Sequence, residues 1–112
     1  MSESGFVAVL VVDLHFPEAH SLKGKRKELS SVKAQLRGRL GTAVAETGYH
    51  DLWQRSQLTA ALTGGSLATL SAAVDNVERW LHSRCPDGVS VERLFASVDD
   101  LRGVYPITKV EG

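Results

Sequence analysis

The apolar and polar positions of this chain alternate between two periods. Phe6–Leu14 is an almost unbroken run of Phe, Val, Ala and Leu, rich in β-branched residues, which predicts a strand at the centre of a sheet. Phe16-Pro17 stops it, because proline cannot continue a central ladder. Ser21 then offers an N-cap, and Leu22, Leu29, Val32, Leu36 and Leu40 recur at helical spacing, predicting a helix over 22–39 that ends at Gly38 and Gly41. Thr42–Thr47 reads as a short strand and Gly48-Tyr49-His50-Asp51 as a turn. Gln54–Thr63 alternates like a strand with Leu58, Ala60 and Leu62 inward. After Gly64-Gly65, Ser66 caps a second helix striped by Leu67, Leu70, Val74, Val77 and Leu81, with Trp80 beside the stripe. Cys85-Pro86-Asp87-Gly88 turns the chain into a last strand, Val89–Val98.

The order β-α-β-β-α-β, with right-handed crossovers, predicts an α+β ferredoxin-like sandwich: a four-stranded antiparallel sheet with two helices on one face. A single domain is expected over 1–100, with 101–112 as a C-terminal tail. In this topology residues 15–23, 48–53 and 82–88 converge at one end of the sheet. His15, His20, His50, His82, Cys85, Asp51 and Trp53 all fall in or beside those segments.

Both faces of the first strand are apolar, with Val7, Val9 and Val11 on one and Phe6, Ala8, Leu10, Val12 and Leu14 on the other. The helices cover one face. A cover over the second is expected, from the tail or from a second copy of the chain in a homodimer.

The formal charge of the 112-residue chain is +0, yet its distribution is uneven. Residues 22–39 hold seven Lys and Arg against Glu28 alone, a local charge of +6 that leaves −6 for the rest. Lys23, Lys25, Arg26 and Lys27 crowd the first turns of the helix, where the dipole favours acidic residues. Helix stability does not explain that choice, and an anionic partner does. There is no Gly-x-x-x-x-Gly-Lys-Ser/Thr loop and no dinucleotide fingerprint, so nucleotide hydrolysis is not indicated. Backbone phosphates of RNA need only well-placed Lys and Arg.

His15, His20, His50, Asp51 and Cys85 have no zinc-type spacing, and no metal or other cofactor is expected. Ser21 with His20 and Asp51 imitates a hydrolytic set, but Ser21 is consumed as a cap; Asp51 and His20 more simply pin the hairpin to the helix start. No enzyme is expected. Trp53, followed by Gln54 and Arg55, either stacks a base or anchors the hairpin. The third strand lacks the aromatics of the usual RNA-binding sheet platform. A single cysteine excludes an intramolecular disulfide, and the apolar run Val7–Val12 is too short to span a bilayer. A cytoplasmic protein without a membrane partner is expected.

The segments Ala19-His20-Ser21-Leu22-Lys23-x-Lys25-Arg26 and His50-Asp51-x-Trp53-Gln54-Arg55 resemble the YlxP-like family of small bacterial proteins, a domain of unknown function. The resemblance covers residues 6–100 and implies a ferredoxin-like fold without an established activity. Family members tend to be encoded beside translation and ribosome-maturation factors, which implies a role near ribosomal RNA. Gly24 stands where the family commonly has an acidic residue that would complete a capping box with Ser21.

The sequence thus supports a non-enzymatic RNA- or ribosome-associated protein. It would hold phosphates through Lys23, Lys25, Arg26 and Lys27, with His20, Trp53 and Arg55 beside them. Arg37 and Arg39 would extend the surface. The alternative is a homodimeric interaction module whose basic end docks an acidic protein.

Overall fold

The computed structural model describes residues 5–104. Its elements run β1 (Phe6–His15), α1 (Leu22–Leu40), β2 (Ala43–Gly48), β3 (Arg55–Gly64), α2 (Leu67–Arg84), β4 (Val89–Ser97) and α3 (Val98–Gly103). The four strands form one sheet in the order β2-β3-β1-β4, every neighbouring pair antiparallel. This is the ferredoxin-like fold, and each of the first six elements lies within a residue or two of its expected span.

Strand β1 is central, bonded along its length to β3 and β4. Its even-numbered side chains Ala8, Leu10, Val12 and Leu14 are fully buried under the helices. Across the ladder they meet Leu58, Ala60 and Leu62 of β3, and α1 and α2 close over them with Leu29, Val32, Leu36, Leu70, Val74, Val77 and Leu81. Trp80 is half-buried against this core, at its edge.

Caps set the helix bounds. Ser21 and Ser66 accept hydrogen bonds from the backbone N–H groups of Gly24 and Thr69. At the far end of α1, Gly41 takes the left-handed conformation at φ 67° and lets its N–H reach Leu36 O, a Schellman-type ending. Arg93 of β4 bonds Glu78 and Asp75 of α2 at 2.7 and 2.8 Å, fastening the edge strand to its helix.

The segment from residue 101 was expected as tail, but α3 occupies it through Gly103. The helix carries no apolar stripe. A capping box starts it, with Ser97 Oγ accepting from Asp100 N and Asp100 Oδ2 accepting from Ser97 N. Residues 105–112 of the expected tail lie outside the described residues.

Leu36→Ala in the fully buried stripe of α1 should cost about 2–5 kcal/mol, read as a lower denaturation midpoint at unchanged slope.

Candidate functional site

Three segments meet at one end of the sheet. His15 N donates to Gly88 O at 3.0 Å and Phe16 N to Gln54 O at 2.8 Å, which joins the β1–α1 loop to both other loops. Gln54 adds the side-chain tether. Its Nε2 donates to Pro17 O at 3.1 Å and Ala19 O at 3.3 Å. The pin expected of His20 and Asp51 is therefore made by Gln54. An amide side chain suits the task, because two N–H donors can serve two carbonyls of one loop.

Two clefts open on this end. The first, about 510 Å³, lies between the β1–α1 loop, the start of α1 and the α2–β4 turn, and includes His20, Ser21, Lys27, Glu28, Arg84 and Cys85. Its charge is mixed, because Arg84 reaches across from α2 to Glu28 at 3.1 Å. The second, about 570 Å³ and more open, is formed by His15, Asp51, Leu52, Trp53, Gln54 and Arg55. His15 borders both.

The sequence-predicted site residues separate into three groups. Lys23, Arg26 and Lys27 are exposed and make no ion pair among the described residues. At about 100° per residue they share the outer flank of α1, with Lys33 and Arg37 continuing the same flank. His20 borders the first cleft beside Lys27. Trp53 stands 52% exposed at the second.

Lys25 does not belong to this surface. It is 1% exposed and points to the opposite side of the helix, into the stripe of Leu29, Val32 and Leu36. Its Nζ donates to Tyr49 O at 2.5 Å and His50 O at 3.4 Å and sits 3.6 Å from Glu46 Oε2. Glu46 is held in turn by Ser56 Oγ at 3.2 Å, with His50 Nε2 3.8 Å from its other oxygen. The turn that offers these carbonyls carries Tyr49 in the left-handed region, φ 59°. A buried ammonium is tolerable only with such partners. The expected phosphate contact by Lys25 is thus replaced by a clamp on the β2–β3 turn.

Arg55 is also committed. Two of its nitrogens bond Asp13 at 3.1 and 2.6 Å, and its guanidinium lies 4.1 Å from the centroid of the Tyr49 ring. That bidentate pair holds the Asp13 carboxyl below its ordinary 3.8, the hydrogen bond from Arg55 being the main cause.

Of the groups that imitate a hydrolytic set, Ser21 and His20 border the first cleft and Asp51 the second. Ser21 Oγ is occupied by the cap. Cys85 is buried, and burial pushes its thiol up, away from the reactive thiolate. Among the described residues no three His, Cys, Asp or Glu side chains cluster as a metal site would require, and no helix is long and apolar enough to cross a membrane.

A family model described as "Protein of unknown function (DUF503)" matches residues 7–93, and the chain belongs to that family. No curated protein sequence matches it. Among solved structures, the de novo designed protein Foldit4 is similar in fold, with a TM-score of 0.51 at 10% identity over 82% of this chain and 96% of the other. CutA from Synechococcus elongatus, complexed with Bis-Tris, gives 0.43 at 14% identity, covering 90% of this chain and 92% of its own. These likenesses concern the fold.

Two outcomes follow from the paired groups. Lys25→Ala should cost about 3 kcal/mol, by leaving Glu46 and the turn carbonyls without their partner, read by chemical denaturation. Asp13 has a lowered folded pKa, so its stabilisation is present above the unfolded value and is lost as pH falls through the folded one. Asp13→Asn should therefore flatten the pH dependence of stability below about pH 4, with thermal midpoints measured from pH 2 to 6.

Proposed function

We propose that this protein is a non-enzymatic RNA- or ribosome-associated protein that holds phosphate backbone on the outer flank of α1. The observation that carries this reading is the set of three exposed cations, Lys23, Arg26 and Lys27, without an ion pair among the described residues. The helix has one acidic residue, Glu28, and Arg84 already engages it. A solvated stripe of this kind more often acquires interspersed acids, which cost little and lower self-repulsion.

The flank is longer than a single phosphate needs. From Lys23 to Arg37 the axis advances about 21 Å, room for several phosphates along one strand. Arg37 also donates to Val44 O at 2.9 Å, so its guanidinium is steered toward β2 while staying exposed. His20 and Trp53 lie on the adjoining clefts, where a protonated imidazole and an indole face would add to phosphate and base contacts. The resemblance to YlxP-like proteins, with its setting beside translation factors, supports ribosomal RNA as the ligand class and the cytoplasm as the compartment.

The test is titration of labelled, structured ribosomal RNA fragments at several salt concentrations. Lys23→Ala with Arg26→Ala should weaken binding whatever the RNA sequence and flatten the log–log salt slope by about 1.5. An unchanged affinity and slope would end the proposal.

Gly24 supplies an independent check. A Cβ built there meets only Ser21 Oγ, at 3.4 Å, so the site has room for a larger residue. Gly24→Glu should stabilise the fold by up to about 1 kcal/mol while weakening RNA binding, moving melting temperature and affinity in opposite directions.

A further inference from the structure

The β2–β3 turn is held at several points, yet the side chains at its tip belong to no core. Lys25 Nζ reaches the carbonyls of Tyr49 and His50, and Leu52 N donates to Tyr49 O at 3.1 Å. Gln54 ties the far end of the turn to Pro17 and Ala19. Between these fixed points stand Asp51, Leu52 and Trp53, all exposed. A turn that only joins two strands gains little from such bracing. One that presents side chains to a ligand gains affinity, because less ordering is lost on binding.

The second cleft, which these residues form, is specific in its chemistry. Trp53 supplies an exposed indole face, and its Nε1–H makes no hydrogen bond among the described residues. The Asp51 carboxylate is likewise without a hydrogen bond or ion pair there. Arg55 shares the cleft, but Asp13 takes up its guanidinium. The free groups are thus an aromatic face and a carboxylate, two residues apart on a fixed turn.

A carboxylate accepts hydrogen bonds and donates none, and it accepts best from two N–H groups side by side. Of the four RNA bases, only guanine presents such a pair on its Watson–Crick edge, as N1–H and the N2 amine. Adenine and cytosine set an acceptor nitrogen beside a single amine, and uracil flanks its one N–H with two carbonyls. Each of these turns a lone pair toward the carboxylate.

We infer that, given the RNA-binding role proposed for α1, the second cleft holds an unpaired guanine, stacked on Trp53 with its Watson–Crick edge on Asp51. The base is unpaired because a duplex occupies both the ring face and that edge. Stacking on an exposed aromatic contributes to binding whatever the base, so Asp51 carries the selection. The cleft, about 570 Å³, has the size of a small-molecule site.

Flank and cleft also lie on one side of the molecule. Arg37 reaches Val44 O in β2, and Lys25 reaches the turn that follows β2, so a strand tracking α1 back to its start arrives at the turn. A partner protein's arginine could also pair with a carboxylate and stack on an indole. Lys23 and Arg26, exposed at the near end of α1, repel such a cation and attract a polyanion.

Two-dimensional ¹H–¹⁵N NMR of the full chain, titrated with nucleosides, tests this. A nucleoside has no phosphate and so reads the cleft without the flank. The indole N–H signals of Trp53 and Trp80 serve as reporter and control, assigned with Trp53→Phe. Guanosine at low millimolar concentration should shift the Trp53 signal and leave that of Trp80 in place. Adenosine, cytidine and uridine should bind roughly tenfold more weakly, the discrimination expected of one bidentate pair. Asp51→Asn should abolish that preference while the stacking shift remains. Asp51 is exposed and unbonded among the described residues, so the fold survives, which an unchanged denaturation midpoint verifies.

Lys23→Ala with Arg26→Ala should leave the guanosine titration unchanged. Ribosomal RNA bound through α1 with no guanosine shift would overturn the guanine site alone. Guanosine binding by a chain that binds no RNA would uphold the cleft as a guanine site and overturn the role of α1. Equal shifts with all four nucleosides would overturn the selection by Asp51. A Trp53 shift produced by N-acetylarginine amide and not by guanosine would overturn the site and give the cleft to a protein partner.

Discussion

One buried ammonium organises the loop end of this molecule. Lys25 lies among the leucines and valines of α1 and has its charge satisfied by two turn carbonyls and a carboxylate of β2. The helix can pack only if the β2–β3 turn presents those carbonyls, and the turn keeps its left-handed residue only if something holds it. Each requirement meets the other. Because Gln54 follows directly and reaches back to Pro17 and Ala19, the clamp also sets where the β1–α1 loop begins. The clefts on either side of that loop inherit their shape from the same contact.

Lys25 also changes how the basic segment is understood. Four consecutive-looking cations look alike in the sequence, yet the helix sends Lys25 inward and Lys23, Arg26 and Lys27 outward. Internal pairing accounts for the first and for none of the others. Arg55 repeats the lesson on the sheet, where Asp13 and the Tyr49 ring take up its guanidinium. What remains for an outside anion is smaller than the sequence suggested, more sharply located, and displaced from the helix end to the helix side.

The strands and long helices were legible because period alone separates them: alternation in β3, heptad-like recurrence in α1 and α2. The inward course of Lys25 was legible too, since it falls four residues before Leu29 and seven before Val32. A charged residue on an apolar stripe is easily assigned to solvent when neighbouring cations supply a rival explanation. The tether by Gln54 and the pairing of Arg55 with Asp13 were not legible, because each depends on a register between strands far apart in the chain. Helix α3 lacks an apolar stripe, so only the Ser97-x-x-Asp100 spacing announced it.

Strand β1 is made first and completed last. Its partners on one side are residues 55–64 and on the other residues 89–97. At about 5–20 residues per second, β4 leaves the ribosome on the order of 10 s after β1. Through that interval the most apolar segment of the chain has an open edge on the side that β4 will occupy, a condition that favours intermolecular pairing. The fold therefore places its heaviest demand on the cell during synthesis, when Phe6–His15 must be kept from other chains until the edge strand arrives.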